Sequence, residues 1–182
     1  MVTHLNTLNM KKNLFFLTTF LFVTGLLSAQ TLLSEDFEAG GLPTGWTIET
    51  SATDGGWQIA SAGAISSQFW SIADNGSSRI AGTNDDGCNC NKSMDYLITP
   101  VIDMTDVQGA ILKFQAFFGE GSYQGADESA NIEASLNGED WNVIYEIPGG
   151  SGWVDHAVDL GQYAGEDTLY VAFRYNDGGG WL

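Results

Sequence analysis

Apolar and polar residues alternate along most of the chain in short runs. Beyond residue 30, no stretch sustains the 3.6-residue period of a helix. The clearest runs are residues 131–136, which alternate strictly, and residues 168–175, which form the longest β-prone stretch. Strict alternation is typical of strands whose successive side chains point to opposite faces of a sheet. We therefore predict an all-β domain built from many short strands.

The spacing of these runs predicts how the strands are arranged. The predicted strands cover residues 32–37, 46–49, 57–60, 68–72, 78–81, 110–118, 131–136, 141–145, 153–158 and 168–175, and residues 96–102 form a further apolar run in which Pro100 rules out a regular central strand at that point. Short strands at this spacing, joined by Gly- and Asn-rich turns such as Asn137-Gly138, are typical of two packed antiparallel sheets. We predict a jelly-roll-like antiparallel β-sandwich. Because Trp181-Leu182 resembles the start of one more strand, we expect a C-terminally incomplete fragment that lacks its last strand.

The N-terminal residues have the order of an export signal. Lys11 and Lys12 precede an apolar run over residues 14–27, and small residues then form a suitable cleavage site. We predict a signal peptide at residues 1–29, one domain at residues 30–182, and a secreted or cell-surface location. A membrane anchor is the alternative, but the run is shorter than the roughly 20 apolar residues that span a bilayer. We expect no membrane span after signal removal.

Charge narrows the possible partners. The chain has a formal net charge of −17, with 23 Asp and Glu against 6 Lys and Arg. All the acidic residues lie beyond the predicted leader, which itself holds two of the six basic ones. Such a domain repels itself, and it lacks the clustered Lys and Arg that bind nucleic-acid phosphates. We expect no nucleic-acid partner, and we expect bound cations to offset the repulsion.

Three acidic clusters offer the carboxylate and amide oxygens that calcium prefers. They are Glu35-Asp36-Phe37-Glu38, Asn84-Asp85-Asp86-Gly87, and Asp127-Glu128 with Asn131. None follows the EF-hand pattern, and any one of them could instead be a solvated turn. We predict structural Ca²⁺ in at least one, and on composition alone we choose Asp85 and Asp86 as ligands.

The two cysteines, Cys88 and Cys90, are separated by one residue. Export favours oxidation, and a bridge between such close positions is tight but possible. A Cys-x-Cys metal site is the alternative, although two thiols without a nearby His rarely complete one. We favour a local disulfide that pins the surrounding loop.

Catalytic patterns are scarce. His156 is the single histidine beyond the leader, and neither a Gly-x-Ser-x-Gly elbow nor a His-Glu-x-x-His motif occurs. We interpret His156 as a solvent-facing strand residue and predict that the protein is not an enzyme. Glycoside hydrolases use a pair of carboxylates at a set distance. Among 23 acidic residues some pair occurs at almost any spacing, so the sequence does not indicate this activity.

Tryptophan offers one alternative function. Large rings exposed on a sandwich could stack on sugars, whereas rings between the sheets fill the core. We expect the core position for most of Trp46, Trp57, Trp70, Trp141 and Trp153.

Several motifs, taken in order, resemble the cleaved-adhesin or choice-of-anchor J domain family. This family is similar to MAM domains and to the adhesin modules of gingipains. The matching segments are 35–38 (EDFE), 42–46 (LPTGW), Trp57, 93–103 (SMDYLITPVID, similar to D-x-L-I-T-P-x-I-D), 135–141 (SLNGEDW, similar to S-x-D-G-x-x-W), 159–165 (DLGQYAG) and 171–174 (VAFR). The family's last strand, with its paired aspartates, would follow Leu182.

The resemblance implies a jelly-roll sandwich with structural calcium, used as a non-catalytic module of large exported bacterial proteins. It aligns Glu38 with the family's acid after the first strand and Asp95 with the acid that opens the Ile-Thr-Pro signature, so both are expected ligands. We predict a calcium-stabilised adhesion or binding module with an extracellular protein or glycan ligand. An accessory domain of a secreted peptidase or glycosidase, or a carbohydrate-binding module, is the alternative.

Overall fold

The computed structural model describes residues 30–123 and 125–179. The predicted leader and Trp181-Leu182 lie outside them. The described elements, in chain order, are β1 (Thr47–Glu49), β2 (Gln58–Ala60), helix α1 (Ala62–Ile65), β3 (Ile80–Gly82), helix α2 (Asp85–Cys88), β4 (Asp95–Ile98), β5 (Ile111–Ala116), β6 (Ser122–Tyr123), β7 (Ala126–Asp127), β8 (Ser129–Ser135), β9 (Asn142–Glu146), β10 (Val154–Asp159), a 3-10 turn (Gly161–Tyr163) and β11 (Tyr170–Asn176). Among these residues, no helix is long and apolar enough to cross a bilayer.

Five antiparallel strands form the main sheet, in the order β1-β4-β11-β8-β9. β11 lies at its centre and pairs with β8 along its whole length, from Tyr170 opposite Ser135 to Asn176 opposite Ser129. A bulge interrupts the pairing of β8 with β9 between Ile132 and Glu133. The most β-prone run of the sequence therefore occupies the centre of the main sheet.

A two-stranded sheet, β5 with β10, forms the second layer. Its Phe114 ring meets the Phe173 ring of β11 edge to face, with centroids 5.3 Å apart. Leu169, Val171 and Ile132 are fully buried in the resulting core. Each such side chain contributes about 1.5–3 kcal/mol relative to its exposed state. The predicted all-β antiparallel sandwich is confirmed.

The opposite face of the main sheet carries a smaller apolar group. Ile98 and Ala172 are buried there, and the Tyr96 ring lies 5.9 Å from the Trp141 ring. The Arg174 guanidinium lies 5.3 Å from the centre of the Tyr96 ring and donates to Glu133 at 3.0 Å. Both faces of the central strand β11 are therefore covered.

Two predicted strands are not strands in the structure. At residues 32–37, the Glu35 carboxylate accepts the backbone N–H of Phe37 at 2.6 Å, and Phe37 takes a positive φ of 61°. At residues 68–72, the Ser66 and Ser67 hydroxyls accept backbone N–H groups that a sheet would otherwise use. Local bonds from side chain to backbone compete with sheet pairing, and here they prevail.

The short helices were also not predicted. α1 begins after Ser61 and α2 after Asn84, and each of these two side chains accepts a backbone N–H from the helix it precedes. Ser and Asn are favoured at this N-cap position because they satisfy donors that have no partner within the helix. The turn predicted at residues 84–87 is thus a capped helical turn.

Tryptophan burial differs from our expectation. Trp46 is buried, and its ring lies 6.5 Å from that of Phe173. The other four named tryptophans are only partly buried. The buried core draws on aliphatic residues of β8 and β11 and, in larger number, on residues of the segments between strands, which leaves the larger rings at its margins.

Candidate functional site

Strand pairing brings two acidic residues to one end of the main sheet, and a third acts on one of them from helix α2. Asn176, the last residue of β11, pairs with Ser129, the first residue of β8. Asp177 and Glu128 are the next residues outward on these two antiparallel strands, so both lie at the same end. The third residue, Asp85, opens α2 and is close enough to Glu128 to perturb its ionisation. We call these three residues the acid cluster.

The acid cluster is buried, and two of its members are held by backbone donors. Asp85, Glu128 and Asp177 are 6%, 9% and 2% exposed. Asp177 accepts the N–H of Lys92 at 2.7 Å and that of Gly179 at 2.9 Å. Glu128 accepts the N–H of Gly121 at 3.0 Å. These bonds fix two carboxylates in place without neutralising their charge.

The third carboxylate is incompletely satisfied. Within residues 30–123 and 125–179, Asp85 Oδ2 is buried and has no hydrogen-bond partner. The Tyr175 hydroxyl lies beside Asp85 and Glu128. Burial, together with the negative charge of Asp85, raises the pKa of Glu128 to about 7. Burial and the same two carboxylates also raise the pKa of Tyr175.

A hard cation suits this arrangement. An uncompensated buried charge costs several kcal/mol, and burial together with the negative charges of Asp85 and Asp177 raises the pKa of Glu128. Calcium takes six to eight oxygens at flexible geometry, mainly from carboxylates and carbonyls. Asp85, Glu128 and Asp177 are the side chains that would hold it, and they would have to draw together to do so, because their carboxylate oxygens do not all lie within 4.8 Å of one another.

Of the four predicted metal ligands, only Asp85 belongs to the acid cluster. Asp86 follows it on α2, but its Oδ2 accepts the Ser67 hydroxyl at 2.9 Å. Glu38 is exposed and accepts both the hydroxyl and the N–H of Ser78, the latter at 2.8 Å. The Ser78 hydroxyl bond holds the pKa of Glu38 below its usual value.

Asp95, the fourth predicted ligand, faces a different set of partners. It is fully buried at the start of β4, and its Oδ2 accepts the Thr83 hydroxyl at 2.7 Å and the Lys92 ammonium at 3.3 Å. Its Oδ1 accepts the Thr50 hydroxyl. The carboxylate is thus engaged by a cation and two hydroxyls of the chain itself. Calcium ligation by Asp95, Glu38 or Asp86 stays a prediction.

Sequence reasoning did not select two members of the acid cluster. Glu128 lies in one of the three predicted acidic clusters but was not chosen as a ligand, and Asp177 belongs to none of those clusters. The signal that could have found them is the antiparallel pairing of residues 129–135 with residues 170–176. In such a pair, the residue before the start of one strand lies beside the residue after the end of the other, as Glu128 and Asp177 do.

The two cysteines are bonded to each other, with Cα atoms 5.2 Å apart. Asn89 between them takes a left-handed conformation with φ 52°, which lets the chain close so short a loop. The Asp54 carboxylate lies close to both sulfurs. In the bonded state, these sulfurs are not the thiolates that a metal site requires.

His156 is not solvent-facing, contrary to our expectation. It is buried on the inner face of β10, its ring stacks on Phe114 with centroids 5.0 Å apart, and its Nδ1 lies 3.0 Å from the Tyr145 hydroxyl. The alternation of β10 places positions 156 and 158 inward, and an aromatic neighbour and a hydroxyl partner make this burial tolerable.

The partly buried aromatic rings near β5 do not form a flat platform. Trp70 packs on Phe117 at an interplanar angle of 63°, and Phe117 packs on Trp153 at 55°. The Trp153 indole donates to the Ala73 carbonyl at 2.6 Å. These three rings therefore do not share one plane, and carbohydrate binding stays a prediction.

Comparison with known proteins shows a likeness of fold. No family model matches the chain, and no curated protein matches it. Among solved structures, the chain is similar to the K3 cleaved adhesin domain of Lys-gingipain from Porphyromonas gingivalis W83. That likeness has a TM-score of 0.53 and 23% sequence identity, and it covers 80% of this chain and 88% of that one. The predicted resemblance to cleaved-adhesin domains is confirmed at the level of the fold.

Proposed function

We propose that this protein is a non-catalytic adhesion or binding module of an exported bacterial protein, stabilised by calcium at the acid cluster. The observation that carries the calcium part is the buried Asp85 Oδ2, which has no partner among the described residues and lies near two further buried carboxylates. The adhesive part is supported by the likeness of the fold to a cleaved adhesin domain.

Export supports the same function. The predicted leader directs the chain to a compartment in which calcium is abundant and disulfides such as Cys88–Cys90 persist. Because an exported module meets its partner outside the cell, we expect that partner to be an extracellular protein or glycan. An accessory role beside a peptidase or glycosidase catalytic domain is compatible with the same module.

Melting in the presence and absence of calcium tests the ion. We expect the melting temperature of the chelated protein to rise on addition of CaCl₂ and to saturate, because an ion that binds only the folded state stabilises it by about 3–4 kcal/mol at 100–1,000 times its Kd. Asp85→Asn should abolish most of this rise. Asp86→Asn removes the same charge from the next residue of α2 and should keep the rise. An unchanged melting temperature in wild type would overturn the calcium site.

Binding assays test the adhesive part separately. Calcium-saturated protein is presented to immobilised extracellular-matrix proteins and to a glycan array, with chelated protein as the comparison. We expect binding to protein ligands that weakens on chelation. Binding to glycans alone would favour the carbohydrate-binding alternative, and absence of binding to both panels in saturated protein would contradict an adhesive role.

A further inference from the structure

The ammonium group of Lys92 is a buried cation that does not bond to the acid cluster, although the backbone N–H of Lys92 donates to Asp177. Its side chain is fully buried, and its Nζ lies 2.8 Å from both carboxylate oxygens of Asp54 and 3.3 Å from Asp95 Oδ2. The Asp95 side chain is also fully buried, and that of Asp54 is 20% exposed. A buried amine therefore contacts two carboxyl groups where water has little access.

The elements around Lys92 hold each reacting group in place. Asp54 lies in the loop between β1 and β2, and its Oδ1 accepts the Gly56 N–H at 3.0 Å. Asp95 is fixed by the Thr50 and Thr83 hydroxyls. The site thus combines a nucleophilic nitrogen, an acyl carbon with a backbone donor on one oxygen, and a second carboxylate within reach of the nitrogen.

We propose that Lys92 and Asp54 join in an intramolecular amide bond, with Asp95 relaying protons. The Lys92 Nζ–Asp54 Cγ bond forms, the Asp54 Cγ–Oδ2 bond breaks, and one water leaves, so that an ammonium and a carboxylate become a neutral amide plus water. The Gly56 N–H stabilises negative charge on Oδ1 in the tetrahedral intermediate. Asp95 Oδ2 relays two protons in succession from the nitrogen to Asp54 Oδ2: loss of the first makes the nitrogen nucleophilic, and arrival of the second lets the oxygen depart as water.

Proximity and burial favour this reaction over its reverse. Groups held in contact react as if at concentrations far above those of any free reagent, and the full burial of the Lys92 and Asp95 side chains limits the access of water to the product from that side. Replacing a buried ion pair by a neutral group also removes the cost of desolvating two charges. The amide would tie the β1–β2 loop to the segment just before β4, beside the Cys88–Cys90 bridge.

Mass spectrometry of the exported, folded wild-type protein tests the proposal without any variant. We expect an intact mass lower than that of the disulfide-bonded sequence by one water. A protease digest should contain a branched peptide joining residues 54 and 92, and trypsin should not cut after Lys92. Wild-type protein at its full mass, with normal cleavage after Lys92, would overturn the amide.

A matched control separates the amide from a simpler loss of water. Asp54 precedes Gly55, and Asp-Gly sequences can cyclise on their own backbone with the same mass change. Lys92→Arg keeps the positive charge but cannot form the amide, so it should have its full mass, whereas backbone cyclisation would persist in it and would contradict the proposal. Hydroxylamine opens the backbone ring and should leave the amide intact. Asp95→Asn should lose or slow amide formation, and unchanged formation would remove Asp95 from the reaction.

Discussion

At the scale of single residues, the neighbours of a carboxylate decide what it can do. Asp95 and Asp85 are both buried aspartates, and both were predicted to bind calcium. Asp95 faces the Lys92 ammonium and two threonine hydroxyls, whereas Asp85 faces Glu128 and has one oxygen without a partner among the described residues. The first arrangement is already compensated, while the second gains from a cation. Sequence composition does not distinguish the two.

The pH dependence of stability tests the environment of Glu128. Its pKa is about 7 in the folded state against 4.5 for the free side chain. Between these values the folded protein holds a proton that the unfolded chain releases, so the free energy of unfolding falls as pH rises. The penalty is absent below pH 4.5 and complete above pH 7, and it amounts to about 1–3 kcal/mol for a buried group. We expect chelated protein to melt at a lower temperature at pH 8 than at pH 5.5.

Glu128→Gln isolates this carboxyl from all other titrating groups. We expect the variant to melt higher than wild type at pH 8 in chelator and to lose part of its stabilisation by calcium. Calcium should flatten the pH dependence of wild type because it displaces the proton. Equal pH profiles for the chelated variant and wild type, measured by thermal melting, would show that Glu128 is not perturbed in the folded state.

At the scale of elements, alternation along the strands was sufficient to predict the sandwich. Residues 131–136 and 168–175 became β8 and β11, because a run of alternating or β-prone residues is a local property that a sequence displays directly, although burial along the two strands does not alternate. The short helices and the two irregular segments depend on serine, asparagine and glutamate side chains that bond to nearby backbone. The acid cluster depends on which strands pair, and no local pattern encodes the partner of β11. The site was therefore less predictable than the fold.

Substitutions in the turn after β11 test whether the position of Asp177 matters for the acid cluster. Gly178 takes a φ of 69°, and a Cβ there would lie 2.7 Å from the Asp127 carbonyl oxygen. Gly178→Ala should therefore push Asp177 away from Glu128 and lower stability by about 1–3 kcal/mol through strain and displacement. We expect a reduced calcium-dependent rise in melting temperature.

Gly179→Ala is the matched control for this turn. Its φ of 80° also disfavours alanine, but a Cβ there meets no atom within 4 Å among the described residues. It should share the conformational penalty and keep most of the calcium effect. Equal losses of the calcium effect in both variants, measured by titration and melting, would show that close contact with Asp127 does not position Asp177.

At the scale of the whole molecule, the acidic excess is spread well beyond the acid cluster. The proposed calcium would compensate carboxylates at one end of the sheet, while most of the 23 acidic residues lie on the surface. Long-range repulsion among surface charges and local repulsion in a buried site differ in their response to salt. Surface repulsion is screened by any ion, whereas a buried site requires an ion of the right size and charge.

Sodium chloride should separate these two effects. Raising NaCl from about 0.02 M to about 0.5 M shortens the screening length from roughly 20 Å to roughly 4 Å, which weakens repulsion between surface carboxylates. We expect the chelated protein to gain about 1–2 kcal/mol, or roughly 3–6 °C in melting temperature, gradually and without saturation. Asp85→Asn should keep this gain and lose the saturable response to calcium, because only the second depends on the acid cluster. A chelated wild-type protein whose melting temperature does not change with NaCl would show that surface repulsion is not a significant cost, and calcium would then act through the buried carboxylates alone.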